Sequence, residues 1–336
     1  FQPDGKLVVV GTACPTGSNT LGCYDFAVAR LMPNGALDTT FGTGGMVTTD
    51  FSGGFDGAAA VVVQPDGRIL AGGVTANGVI GRTVGDFALA RYNADGSLDT
   101  TFGTGGKVST EFTGGYDGAI ALLLQPDGKP VLAGTSSEGQ AYRDFALVRY
   151  TTAGALDTTF GAGGRVTTNF GSENHGNDAI GAVALVAGNR IVAVGSSSND
   201  DFEDEFAVAR YNPDGSLDTT FGQGGRLTLD VGPEDDQASS VLVQSDGKLL
   251  VGGLTGGYMA VGLQGPVIFN DSFDESNADV ALVRLNRPQA LNALNAALMN
   301  EVAGTRSSGL KYSSSSINVT PTAASACRSQ PVSGVQ

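Results

Sequence analysis

Residues Asp86–Gly103 read DFALARYNADGSLDTTFG, and the chain writes this phrase four times. It returns as DFAVARLMPNGALDTTFG from Asp25, DFALVRYTTAGALDTTFG from Asp144 and EFAVARYNPDGSLDTTFG from Glu205. A fifth copy opens at Asp279 as DVALVRLN and then leaves the pattern. A second phrase, QPDGK or a near variant, keeps step at Gln2, Gln64, Gln125 and Gln244, and VAGNR at Val186 fills the remaining beat. The apolar residue after the acid falls at positions 26, 87, 145, 206 and 280, so the period is 61, 58, 61 and then 74 residues. Self-similarity at this spacing is the mark of a repeat architecture.

Each repeat resolves into four runs. In the second, AAAVVVQ leads through a Pro-Asp-Gly turn into RILAGG, a hairpin whose turn residues supply the preset φ and the positive φ. A variable loop follows, then Asp86–Tyr92, a second tight turn in NADGS, the LDTTFGTGG stretch and a closing run KVSTEF. Within DFALAR the Phe, Leu and Arg project to one face and the two Ala to the other, the period-two signature of a strand. The small face lets a neighbouring sheet approach closely. Four antiparallel strands in about 60 residues, in sheets that cannot bury both faces alone, describe a β-propeller blade. A stacked solenoid fits less well, because its rungs are usually about 20–30 residues long. The expected fold is therefore all-β: a β-propeller of about five four-stranded blades over residues 1–285, then a helical and Ser-rich tail over 286–336. The first blade is expected to lack its opening strand and the fifth its closing one. Phe1 occupies the slot of Val63 or Leu124, so the sequence is expected to begin inside a repeat, with no signal peptide present.

The phrases QPDGK, DFALARYNADGSLDTTFG and GGKV resemble the delta-60 repeat family over residues 1–285. That resemblance implies a β-propeller in a bacterial surface or secreted protein, and it carries no catalytic motif with it. The segment 283–304, with Pro288 at a helix start and Leu and Ala at helical spacing after it, resembles the opening strand and helix of the crotonase family. The parts of that fold which bind coenzyme A would need about 200 further residues, and Ser-rich low-complexity sequence follows instead. Hydratase activity is not expected.

The chain has 336 residues, 51 of them Gly, with no Trp. Its 34 Asp and Glu against 19 Lys and Arg give a formal charge of −15, a field that repels phosphate backbones and anionic lipid. No nucleic-acid partner is expected. Nor is membrane insertion, since no run approaches the roughly 20 apolar residues of a spanning helix. Cys14 and Cys23 lie nine positions apart in one loop. A disulfide between them would contribute roughly 2.5–3 kcal/mol and imply an oxidising compartment, outside the cell or in its envelope; two free thiols are the alternative.

In a four-stranded meander the QPDGK and NADGS turns share one end of the blade. The variable loops 11–24, 74–85, 135–143, 196–204 and 254–278 share the other, where binding usually resides. Eight residues before each Gln of the QPDG beat stands an aspartate: Asp56, Asp117, Asp178 and Asp236. If AAAVVVQ is the innermost strand, these carboxylates ring one mouth of the central channel, where like charges raise one another's pKa or hold a cation. Alternatively, each caps its own Gly turn through backbone N–H groups. The aromatic residues Tyr116, Tyr258 and Phe269, in or beside the loops, are candidate ligand contacts with those four aspartates. The only histidine, His175, stands three residues from Asp178 and would act as a general base there if Asp117 and Asp178 served catalysis. Two acidic runs supply candidate Ca²⁺ ligands, Asp200, Asp201 and Asp204 in one, Asp271 and Asp274 in the other, without the twelve-residue loop spacing. Arg30, Arg91, Arg149 and Arg210 each precede an Asp by eight positions and read as ion pairs within the blade. Three functions fit: a propeller binding a glycan or protein, a glycosidic or ester hydrolase using the channel-mouth carboxylates, and a purely structural module.

Overall fold

The computed structural model describes residues 1–14, 24–51, 53–76, 85–112, 115–137, 142–171, 177–199, 203–231 and 235–255, with 267–268 and 280–282 as strand backbone. Contacts divide the chain into Phe1–Leu291 and Asn292–Gln336. The second unit, and with it the expected helical tail, lies outside the described residues.

Each of the first four repeats forms one antiparallel sheet with its strands in chain order. The first sheet has three: β1 (Leu7–Ala13), β2 (Asp25–Leu31) and β3 (Met46–Thr49). The second is β4 (Phe55–Val63), β5 (Ile69–Ala76), β6 (Asp86–Tyr92) and β7 (Lys107–Thr110). The third is β8 (Asp117–Leu124), β9 (Pro130–Ser136), β10 (Asp144–Arg149) and β11 (Arg165–Thr168). The fourth is β12 (Asp178–Val186), β13 (Arg190–Ser198), β14 (Asp204–Tyr211) and β15 (Arg226–Leu229). The last holds β16 (Asp236–Val243), β17 (Leu249–Thr255), β18 (Val267–Ile268) and β19 (Val280–Leu282). There is no α-helix among the described residues, and a short 3-10 turn at Ala187–Asn189 stands where the other repeats have QPDG.

The fifth repeat departs from the others in pairing. DFALAR pairs antiparallel with the strand before it elsewhere, but DVALVR contributes β19, which runs parallel to β17 with Leu249 opposite Val280. The antiparallel position beside Gly252 and Gly253 is taken by β18, drawn from the long 254–278 loop. A longer loop with a strand of its own thus competes for the edge of β17.

The core lies between sheets, as the two-faced DFALAR pattern requires. Phe87 and Leu89 of β6, both fully buried, pack with Phe102 against Ala119, Leu132 and Ala146 of the next sheet. Phe145 and Leu147 meet Ala193, Ala207 and Ala209 in the same way. Each such Phe or Leu contributes roughly 1.5–3 kcal/mol by burial. Tyrosines tie the same seams: the Tyr92, Tyr150 and Tyr211 hydroxyls meet Thr49, Thr110 and Thr168 of the preceding sheet at 2.7–2.9 Å. The first strands β4, β8, β12 and β16 pack against one another.

Each first strand bulges once, at Ala58/Ala60, Ala119/Ala121, Ile180/Ala182 and Ala238/Ser240. Glycine faces the bulge every time. A Cβ on Gly73, Gly134, Gly195 or Gly253 would stand 1.8–2.0 Å from a backbone carbonyl oxygen of the bulged strand. Only glycine permits that approach.

The tight-turn end is held by one arginine per sheet. Arg149 Nε donates to Asp157 at 2.7 Å, Nη2 donates to the Thr159 hydroxyl at 3.1 Å, and the guanidinium lies 4.5 Å from the Phe160 ring centre. Its Nη1 donates to the Pro213 carbonyl of the next sheet at 2.5 Å. Arg30 and Arg91 repeat this with Ala94 and Thr152 as the neighbour's carbonyls. Asp157 also receives Lys129 of the QPDGK turn at 2.9 Å, as Asp38 receives Lys6, Asp99 receives Arg68 and Asp218 receives Arg190. The ion pairs expected eight positions apart are therefore present and buried. Removing one member of a buried pair leaves the other uncompensated, at a cost of about 3–5 kcal/mol, whereas a half-exposed partner is worth about 0–1 kcal/mol. Arg149→Ala is expected to lower unfolding free energy in urea by the larger amount and Lys129→Ala by the smaller; equal losses would show that the buried pair is not what holds this end.

Candidate functional site

The four repeating aspartates open β4, β8, β12 and β16, and all four are fully buried or nearly so. Oδ2 of each accepts a backbone N–H from the crossing that leads into its strand: Phe51 at 2.7 Å, Phe112 at 2.8 Å, Phe170 at 2.8 Å and Val231 at 2.6 Å. The backbone N–H of Asp56, Asp117 and Asp178 in turn donates to a carbonyl of the preceding sheet, those of Tyr24, Gly85 and Arg143. These aspartates thus fasten the crossing between sheets, the local bonding that Asp favours beside Gly turns.

Burial raises their pKa values. Asp56 is pushed up by burial, against the Phe51 N–H and the Thr75 hydroxyl, with Asp50 adding to the rise. Burial pushes Asp117 up likewise, against Ser136 and the Phe112 N–H. In Asp178 burial dominates over the Ser197 hydroxyl and the Phe170 N–H, and the charges of Asp144 and Asp204 help bring it to about 6.

A second set of carboxylates stands at the same end: Asp25, Asp86 and Asp144 open the strands formed by the DFALAR phrase, and Asp204 stands one residue before Glu205, which opens the fourth copy. Burial raises all four, neighbouring acids reinforce the rise at Asp25, Asp86 and Asp204, and no Lys or Arg among the described residues offsets it. A third position follows the fourth strand, as Asp50, Glu111, Asn169 and Asp230. At the first junction one carboxylate oxygen each from Asp25, Asp50 and Asp56 lies within 4.8 Å of the others. At the third, Asn169 Nδ2 donates to Asp144 at 2.9 Å. Except for Asp204, which stands one residue before its copy, the sequence shows these positions as the acid opening each DFALAR and the polar residue after each closing strand, but the repeat made them read as frame.

The opposite end holds a cleft of about 410 Å³ between the second and third sheets, lined by Gln64, Arg68, Arg91, Thr101, Gly128 and Thr152. Its charges are matched internally by Asp66 and Asp99. The tight-turn end is therefore not featureless, although its acids are paired. Asp99 is lowered there, where the Thr101 hydroxyl and N–H with Arg91 and Arg68 overcome burial.

Of the remaining sequence candidates, Tyr116 is half-buried, with the Arg143 guanidinium 5.3 Å from its ring centre and its N–H donating to Ser137 Oγ at 2.7 Å. Asp204 accepts from Ser198 Oγ at 2.5 Å, and its N–H donates to Asp235 at 3.1 Å. His175, Asp200, Asp201, Tyr258, Phe269, Asp271 and Asp274 lie outside the described residues. Cys14 is disulfide-bonded, while Cys23, its expected partner, is outside them.

A carboxyl raised on folding favours the folded state while it is protonated. That contribution is complete below the ordinary carboxylate value near 3.8 and is lost as pH rises through about 6 for Asp178. Thermal stability is therefore expected to rise as pH is lowered from neutral through about 6, and Asp178→Asn to flatten the rise. A wild-type curve that falls over this interval, or an unchanged slope in the variant, would contradict the assignment.

No curated protein matches the chain. Among solved structures it is similar to a Dyadobacter fermentans protein of unknown function, at 12% identity, covering 75% of this chain and 72% of that one, with a TM-score of 0.45. It is also similar to an endo-arabinase from Bacteroides thetaiotaomicron, at 13% identity, 81% and 92% coverage and a TM-score of 0.39. A third is a putative gluconolactonase, at 16% identity, 71% and 66% coverage and a TM-score of 0.31. None of these likenesses assigns an activity. The family model described as a domain of unknown function (DUF5122) beta-propeller matches residues 2–41, 64–102, 125–160 and 189–221, one stretch in each of four repeats, so these tandem repeats are similar to the β-propeller repeats of that family.

Proposed function

We propose that this is an extracellular or envelope β-propeller of about five blades that binds a ligand, glycan or protein, through its variable-loop end. One observation carries the reading. Three of the sheets set a carboxylate where the DFALAR phrase opens its strand, at Asp25, Asp86 and Asp144, and the fourth sets Asp204 one residue earlier; all four are raised and without a basic partner among the described residues. Acceptors held in a fixed row suit the hydroxyl groups of a neutral glycan better than an anionic partner, given the net charge of −15. The bonded Cys14 supports an oxidising location. A second reading, hydrolysis with Asp178 as proton donor, draws support from its carboxyl at about 6. Its complete burial and its bond to the Phe170 N–H weigh against contact with substrate.

Binding is tested on a glycan array with the full chain. Asp86→Asn and Asp144→Asn are expected to weaken the strongest signals by about tenfold, roughly the worth of a charged hydrogen bond, while the melting temperature holds or rises. Signals unaffected by both changes, or no signal at all for the wild type, would remove the glycan reading. Binding lost only on exchange of residues 254–278 would move the site to the fifth repeat.

A further inference from the structure

The junction of the first two sheets holds a site that the glycan reading does not require. Asp25 heads β2, Asp50 follows β3 and Asp56 heads β4, and one oxygen of each falls within 4.8 Å of the other two. Oxygens on opposite sides of a calcium ion stand about 5 Å apart, since each Ca–O distance is about 2.4 Å. All three can therefore touch one ion.

One observation separates this group from ordinary solvated acids. Asp56 is fully buried; with Oδ2 taken by the Phe51 N–H, its Oδ1 makes no hydrogen bond and is the oxygen left for the group. A buried acceptor without a donor is costly, and a divalent cation removes that cost. Lys107 does not serve instead: its ammonium meets the backbone carbonyl of Asp50 at 2.7 Å and sits 5.6 Å from the Phe51 ring centre. We propose that Asp25, Asp50 and Asp56 bind a calcium ion at this junction, with water completing its shell. The third junction is the internal contrast. Asn169 stands where Asp50 stands and its amide donates to Asp144 at 2.9 Å, so that junction lacks the third carboxylate, although Asp178 Oδ1 is likewise without a hydrogen bond.

Terbium, a luminescent probe of calcium's size, tests the site on the full chain. There is no Trp, and Tyr24 adjoins Asp25, so tyrosine-sensitised emission that calcium competes away is expected. Calcium should also raise the melting temperature by mass action. Asp50→Asn copies Asn169 and keeps an acceptor for the Gly53 N–H, so it should fold. It is expected to weaken calcium by about tenfold or more, as the loss of one charged ligand does, with its melting temperature in chelator near wild type. A wild-type melting curve indifferent to calcium and chelator overturns the proposal, and so does an Asp50→Asn chain that responds to calcium as the wild type does. The glycan array can fail without affecting either result.

Discussion

One guanidinium per blade decides how the tight-turn end is built. Arg149 spends Nε on an aspartate of its own sheet, Nη2 on a threonine two residues further on, its flat face on a phenylalanine, and Nη1 on the carbonyl of the following sheet. Intrablade and interblade order therefore hang on the same side chain. Lysine would not replace it, since a point charge lacks the planar fork that serves several acceptors and a ring at once. The TTFG that follows each of these aspartates reads as low-information sequence until the guanidinium is placed, after which Thr and Phe each have a named contact.

The two ends of a blade treat carboxylates in opposite ways. At the tight turns Asp38, Asp157 and Asp218 lie well below the ordinary value. The Thr40 hydroxyl leads for Asp38 and the Thr220 hydroxyl for Asp218, while for Asp157 burial is outweighed by Thr159, Lys129 and Arg149. At the loop end burial prevails, and Asp25, Asp56, Asp86, Asp117, Asp144, Asp178 and Asp204 are raised. The contrast follows from where the basic residues fall. Arg30, Arg91, Arg149 and Arg210 end the third strand and the basic residues of the QPDG beat open the second, so both kinds collect at the tight turns. A protein with 34 acids and 19 bases leaves some acids unmatched, and among the described residues those raised by burial stand at the loop end.

The repeat made the frame legible. Strand periodicity in DFALAR, the Gly of each turn and the eight-residue Arg–Asp spacing are local patterns, and each found its counterpart in a sheet, a turn or a buried pair. The bulge opposite Gly73 and Gly134 was not legible, because it depends on which carbonyl would stand within 2.0 Å of a Cβ on a glycine of the next strand. The Asp56 series was visible as a spacing, but whether a carboxylate opens to a channel or turns back on a backbone N–H is a matter of side-chain direction. The fifth repeat misled for a different reason: DVALVR has the right pattern for a third strand, yet pairing is a competition, and β18 holds the place.

Repetition also shows where the chain is free to vary. The Arg–Asp–Thr–Phe group is written without change in four blades, because each of its contacts also fixes a neighbour. The position after the fourth strand is Asp50, Glu111, Asn169 and Asp230 in turn, although Lys107, Arg165 and Arg226 bind the backbone carbonyl of the first three. The fold thus uses the main chain at that position and leaves the side chain unconstrained. Asn169 meets Asp144 with an amide, whereas Asp50 adds a third carboxylate beside Asp25 and Asp56. Four copies of one backbone so carry different electrostatics at each junction, which is how a repeat array acquires a site in one place without altering the blade that holds it.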